Sequence, residues 1–193
     1  GTIPENAVFC SHNVSSIYQA PIKLDQQGMG DYICKRLQLK ESKPEWSSWQ
    51  KFVNSVLNPK HEIRIALVGK YVGLVDSYVS MNEALGHAGA ACQAKVTIDY
   101  IEAESLGHET NPNKRLKGYD GIFIPYGFGP RGTEGKIKAI NFARENNVPF
   151  LGICLGFQLA VVEFARNACG LKNANSTELD SETSHPEIAL MPE

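Results

Sequence analysis

Residues 150–167 read FLGICLGFQLAVVEFARN, and this stretch decides how the chain is to be understood. It opens as an apolar run, passes through Cys154 between Gly152 and Gly156, and continues with apolar residues three and four apart. That pattern predicts a strand, a sharp turn and a helix. The Gly-x-Cys-x-Gly form lets a nucleophile occupy a strained strand-to-helix turn, because glycine has no side chain to collide there. At the start of a helix, unpaired N–H groups and the helix dipole favour the thiolate over the thiol. The N–H of Leu155, just after the nucleophile, then points to where an oxyanion forms. The same five residues also describe a tightly packed junction around a buried cysteine. The strand before and the helix after favour the nucleophile, and Cys10, Cys34, Cys92 and Cys169, which lack such flanks, read as packing or surface residues.

The surrounding sequence from Ile63 onward alternates strand and helix patterns. Strands are expected at Arg64–Tyr71, Lys95–Ala103, Asp120–Tyr126 and Val148–Cys154, with helices at Ser77–Ala88, Thr133–Asn146 and after Cys154. The stretch SLGHETNPNKRLKG, residues 105–118, reads as a polar loop. The last helix places Phe157, Ala160, Val161, Phe164, Ala165 and Ala168 on one side. This alternation predicts an α/β fold with a doubly wound parallel sheet, flavodoxin- or Rossmann-like, whose functional groups sit at the carboxyl ends of the strands. Two glycine-rich ends, Pro125–Gly132 (PYGFGPRG) and GICLG, are expected at the same rim.

The first sixty residues have a different texture. A short amphipathic helix is expected near Asp31–Leu37. A second, carrying Trp46, Trp49, Phe52, Val53 and Val56 on one face, is expected between the Ser42–Pro44 cap and Asn58-Pro59. Its apolar face needs a partner. Three segments follow: 1–40, a linker helix at 41–62, and the α/β region 63–193. The chain has 193 residues, 42% of them hydrophobic, and a net charge of −2, with no basic stripe or polybasic patch. Nucleic-acid and membrane partners are therefore not expected. Five scattered cysteines without a C-x-x-C pair suggest neither a disulfide framework nor a metal site, and a reducing, cytoplasmic setting fits them. The opening on Gly1 suggests part of a longer protein.

LGICLGFQLAVVEFARN, GFGPRGTEGKIKAINFAREN, NANSTE and IALVGKY together resemble the glutaminase domain of the CTP synthase family, a class I glutamine amidotransferase. SSIYQAPIKLDQQGMGDYICKRL resembles the end of that family's amidoligase domain, so residues 1–40 would be the end of the synthetase part. The resemblance implies that Cys154 attacks the side-chain amide of glutamine, forming a γ-glutamyl thioester and releasing ammonia. It implies that ammonia then aminates UTP to CTP with ATP and Mg2+, bound mainly by residues outside this chain, and that GTP activates the glutaminase step. Gly127, Leu155, Gly156, Phe157 and Gln158 would cradle glutamine and its oxyanion, and Glu178 would hold its α-ammonium group. His12, Asn13 and Val14 would border the ATP adenine. A homotetramer is implied for the full-length protein.

The family's Cys–His–Glu triad takes its last two members from an H-P-E segment. His185-Pro186-Glu187 has those letters, but only thirty residues separate it from Cys154 and no further strand is expected between them. A triad is a matter of geometry, so this pairing is rejected, and the resemblance places the true segment further downstream than this chain extends. The amidotransferase domain is thus expected to be incomplete here and the chain alone inactive. Gly69-Lys70-Tyr71 is not a phosphate-binding loop, because Arg64 and Tyr71 stand where a glycine and a hydroxyl residue are needed. Tyr126 replaces a glycine of the family's P-G-G-F-G loop: it is strained and crowds the pocket, or it points away. Phe157 stands where methionine is usual. Two other readings remain: a non-catalytic glutamine-binding or assembly module, and an unrelated cysteine hydrolase or thiol sensor on the same fold.

Overall fold

The computed structural model describes residues 2–40 and 43–191. The chain forms two compact units. The first runs to His61 and takes in Leu85–Lys95, and the second holds Glu62–Ala84 and the residues from Val96 onward.

In the first unit, short helices α1 (Ala20–Asp25) and α2 (Met29–Arg36) precede α3 (Ser47–Leu57). The apolar face of α3 finds its partner here. Trp46 Nε1 donates to Asp25 Oδ2 at 2.8 Å and Trp49 Nε1 to the Tyr18 carbonyl at 2.7 Å, so each half-buried indole has its polar edge satisfied. Tyr18 packs edge-on against Phe52 at 4.9 Å, its hydroxyl lies 2.8 Å from His87 Nε2, and Val53 is buried. Trp46 is the residue that starts α3, with the Ser47 N–H bonded to Glu45 Oε1. The expected cap at Ser42 lies outside the described residues.

The second unit is built on strands β1 (His61–Gly69), β2 (Ala94–Glu102), β3 (Gly121–Ile124) and β4 (Phe150–Gly152), in the spatial order β2-β1-β3-β4. β1 and β3 run parallel with Leu67 opposite Phe123, and β3 and β4 run parallel with Ile124 opposite Gly152. Side chains alternate across such strands. Ala66, Val68, Ile122 and Ile124 therefore enter the core with Ile137, Ile140, Leu155 and Leu159, while Leu67 and Phe123 are equally buried on the other face. Between the strands run α4 (Val79–Ala91), α7 (Thr133–Glu145) and α8 (Leu155–Asn167), so the doubly wound parallel α/β fold expected from the alternation is present.

Three local expectations are corrected. The segment read as a polar loop holds two short helices, α5 (Ala103–His108) and α6 (Asn113–Leu116), anchored by the fully buried Ala103, Leu106 and Leu116. The side of α8 that presents Phe157 and Phe164 is the open one, at 63% and 54% exposure. Its buried face is Leu155, Leu159, Val162 and Ala165, because the helix is apolar on more than one side. Two strands also follow α8 where none was expected, β5 (Ala174–Ser176) and β6 (His185–Ile188). They pair only with each other, in a separate small sheet.

Candidate active site at the strand ends

In a sheet of this order the strand sequence reverses between β1 and β3, and the crevice at their carboxyl ends is where open α/β folds place ligands. Three segments leave the sheet there: Lys70-Tyr71 after β1, Pro125–Gly132 after β3 and Ile153-Cys154 after β4. The rim predicted from the two glycine-rich motifs is therefore a single place.

Cys154 caps the N-terminus of α8 at φ 56° and ψ −113°, a conformation L-residues rarely adopt. It is exposed, and it is the only cysteine with positive φ among the described residues. The turn is held from both sides. The Ile153 N–H donates to the Ile124 carbonyl at 3.0 Å, and the N–H groups of Phe157 and Gln158 both donate to the Cys154 carbonyl at 3.1 Å. The flanking glycines are required by packing. A Cβ on Gly152 would stand 2.6 Å from the Gly156 backbone, and one on Gly156 only 2.1 Å from the Ile124 carbonyl oxygen. Since the Gly156, Phe157 and Gln158 N–H groups are taken up by the Ile153 and Cys154 carbonyls, the N–H left to a negative charge beside the sulfur is that of Leu155, the first residue of the helix.

Facing this turn is the loop after β3, in which Gly127 and Gly129 take φ values of 133° and 86°. Tyr126 is outside the positive-φ region. Its hydroxyl donates to the Ser77 carbonyl and its ring packs on Tyr78 at 5.8 Å, so of the two alternatives for this residue the structure adopts the unstrained one, turned towards the Ser77-Tyr78 segment.

Two lysines missed by the motif reading lie behind the loop. Lys70 Nζ donates to the carbonyls of Phe128, at 2.5 Å, and Gly129, at 2.7 Å. Lys136, on α7, is fully buried and donates to the Pro125 carbonyl at 3.4 Å. Burial, then repulsion from Lys70, lowers the Lys136 ammonium to about 8, and a Cys154 thiolate acts in the opposite sense. Burial, then Arg131, lowers Lys70 as well. A signal existed in the sequence: Lys136 is followed by Ile137, Ala139 and Ile140, on the side of α7 that must be buried.

The remaining predicted residues fall in several places. Gln158 and Glu178 line one cavity of about 280 Å3 with Ser176, Thr177 and Ile188, and the buried Gln158 Oε1 has no hydrogen-bond partner among the described residues. Gln158 lies in the first turn of α8, four residues after Cys154. Leu155 and Gly156 are buried, whereas Phe157 is exposed. His12, Asn13 and Val14 belong to the first unit, the first two exposed. His185 lies in β6 opposite Ala174, with its backbone N–H donating to Thr183 Oγ1 at 3.4 Å. No cluster of three metal-ligating residues occurs among the described residues, and no helix there is long and apolar enough to cross a membrane.

The profile of the family described as glutamine amidotransferase class-I matches residues 73–188. The chain is 51% identical, over 99% of its length, to the CTP synthase of Pyrococcus furiosus, and 49% identical, again over 99%, to that of Methanopyrus kandleri. It spans 35% and 36% of those two relatives, about a third of each. Among solved structures, the glutaminase domain of Trypanosoma brucei CTPS with bound acivicin matches at 42% identity and a TM-score of 0.62, covering 67% of this chain and 50% of that one.

Proposed function

This chain belongs to the class I glutamine amidotransferase family, and from that premise we propose that Cys154 is the nucleophile of a glutamine-hydrolysing site within a CTP synthase. The observation that carries the reading is the positive-φ backbone at Cys154, which sets this residue at the N-terminus of α8 next to the Leu155 N–H, at the strand ends from which the Pro125–Gly129 loop also leaves. The thiolate attacks the side-chain carbonyl carbon of glutamine. The resulting oxyanion is held by the N–H groups of Gly127 and Leu155. The C–N bond breaks, ammonia leaves with a proton from an acid that His185 does not supply, and water hydrolyses the γ-glutamyl thioester to glutamate. Gly156, Phe157 and Gln158 shape the glutamine pocket, and Glu178 pairs with the α-ammonium group.

For the whole protein we propose the activity its relatives are named for: amination of UTP to CTP with ATP, Mg2+ serving the phosphates, GTP as activator, in a cytoplasmic homotetramer. Residues 1–40 are the end of the synthetase domain, where His12, Asn13 and Val14 border the adenine, 41–62 are a linker, and 63 onward belong to the glutaminase. A second reading, a glutamine-binding module without turnover, is favoured by the place of His185, paired with Ala174 in a small sheet separate from the one that carries the elbow. Mass spectrometry of the chain treated with acivicin tests the nucleophile. One adduct at Cys154, prevented by excess glutamine and lost in Cys154→Ser, is expected. Labelling spread over the other cysteines and indifferent to glutamine would overturn it. Saturable glutamine binding, read by calorimetry, in a chain that never forms the adduct would favour the second reading.

A further inference from the structure

The loop that follows β3 carries glycines at positive φ on either side of Phe128, Gly127 at 133° and Gly129 at 86°, so its peptide groups can turn over at little steric cost. What fixes them is Lys70, the first residue after β1, which is 5% exposed. Its Nζ donates to the Phe128 carbonyl at 2.5 Å and to the Gly129 carbonyl at 2.7 Å, and its stem lies against Gly127, where a Cβ would stand 3.6 Å from Lys70 Cδ. In a trans peptide the N–H points opposite to the C=O, so the Phe128 carbonyl turned towards the lysine turns the Gly129 N–H away from it.

Lys70 is itself held fast. Its backbone N–H donates to the Tyr78 hydroxyl at 3.2 Å, and its carbonyl accepts from Arg131 Nη2 at 3.4 Å. Tyr78 is fully buried, and so close to the strand that a Cβ on Gly69 would stand 2.5 Å from its oxygen. The ammonium group thus ties a glycine-rich loop to the rigid end of a buried strand. Thr133 Oγ1 and Lys136 Nζ also reach the loop, at the Gly129 and Pro125 carbonyls, but each at 3.4 Å. Stability alone is a poor account of the lysine. Burying an ammonium group costs more than burying an apolar chain of similar volume, and water can reach the carbonyls of Phe128, which is exposed, and Gly129, which is half-buried.

Resting on the reading of Cys154 as nucleophile and Gly127 as oxyanion donor, we propose that Lys70 is a positioning residue for glutamine hydrolysis. By holding the Phe128 and Gly129 carbonyls it keeps the loop in the conformation that presents the Gly127 N–H to the oxyanion. Lys70 touches neither glutamine nor the sulfur. Its contribution belongs to the step in which charge develops on the substrate, not to the binding of glutamine.

The test is the kinetics of Cys154 labelling by acivicin, followed by mass spectrometry in the wild-type chain and Lys70→Met, beside labelling by iodoacetamide. The thiolate adds to the acivicin ring carbon that bears chlorine, and negative charge builds on the neighbouring nitrogen before chloride leaves. Displacement of iodide from iodoacetamide, at a saturated carbon, calls for no such donor. Lys70→Met is expected to lower the maximal acivicin rate about tenfold or more, while the half-saturating acivicin concentration and the iodoacetamide rate stay within about twofold of wild type. An unchanged maximal rate, a loss of acivicin affinity alone, or an equal fall in the rates of both reagents would overturn the proposal. Should Lys70→Met fail to fold, Lys70→Gln, whose shorter stem stops the amide before the loop carbonyls, is read in the same way. Chymotrypsin, cutting after Tyr126 and Phe128, supplies a readout that needs no glutamine pocket. Cleavage there is expected to be about tenfold faster in the variant, and cleavage at the wild-type rate counts against the proposal just as decisively. If acivicin labels no chain, the proposed function falls and cleavage alone decides the inference. Labelling of the wild type as expected, with no effect of Lys70, removes the inference alone.

Discussion

Gly156 lies flat against the carbonyl of Ile124, so that a Cβ at that position would sit 2.1 Å from the oxygen. This contact presses the first turn of α8 onto the end of β3 and sets the height at which Cys154 stands above the sheet. The oxygen belongs to a strand in the middle of the core and cannot give way. Gly156→Ala is therefore expected to cost about 3 kcal/mol or more in a urea titration, at the upper end of overpacking penalties. A cost within about 0.5 kcal/mol would mean that the elbow is looser than this packing implies.

Cys154 itself is strained, and glycine would hold φ 56° and ψ −113° without cost. Cys154→Gly is expected to raise stability by about 1 kcal/mol while abolishing acivicin labelling. Equal or lower stability of the variant, by the same urea titration, would show that the elbow holds no backbone strain at this residue.

Glu163, on α8, is 1% exposed and receives Arg144 at 3.0 Å together with Asn141 and Asn167. Burial alone would push its carboxyl up, but the Arg144 guanidinium and the two amides outweigh burial and hold it below the ordinary 4.5. A carboxyl lowered in the folded state contributes stability that is complete above 4.5 and is lost as pH falls through the lowered value. Arg144→Met leaves that buried carboxylate without its cation, and is expected to cost about 3 kcal/mol at neutral pH. The variant's stability is expected to fall less steeply in acid than that of the wild type, which parallel pH-dependent denaturation curves would reveal; superimposable slopes would contradict the role given to the pair.

Gly86 sits within α4, exposed and with nothing within 4 Å of a Cβ placed on it. Unlike Gly156 it serves no contact, so Gly86→Ala is expected to stabilise the chain by about 0.5–1 kcal/mol in thermal unfolding. A loss instead would point to a role for that open surface.

The parts of the fold legible in the sequence are those whose signal is local and continuous. The apolar runs of β1, β3 and β4 and the long periodic helices α7 and α8 could be read directly. Residues 103–116 could not, since α5 and α6 are each about a turn long and held by three buried residues, Ala103, Leu106 and Leu116, too sparse to show a period. The face of α8 was misread for the opposite reason. With apolar residues on several sides, periodicity does not choose between Phe157 and Leu159, and the neighbours do.

By itself, the sequence determined the elbow at Cys154 and the alternation that brings two glycine-rich ends to one rim, because both follow from steric limits and periods that act within a few residues. Only the tertiary structure decided that Tyr126 reaches Ser77, that His185 goes into a separate small sheet, and that Lys70 and Lys136 stand behind the loop. Those outcomes depend on which distant groups become neighbours and how much water they lose on meeting, and desolvation and Coulomb energy act through space, whatever the separation along the chain.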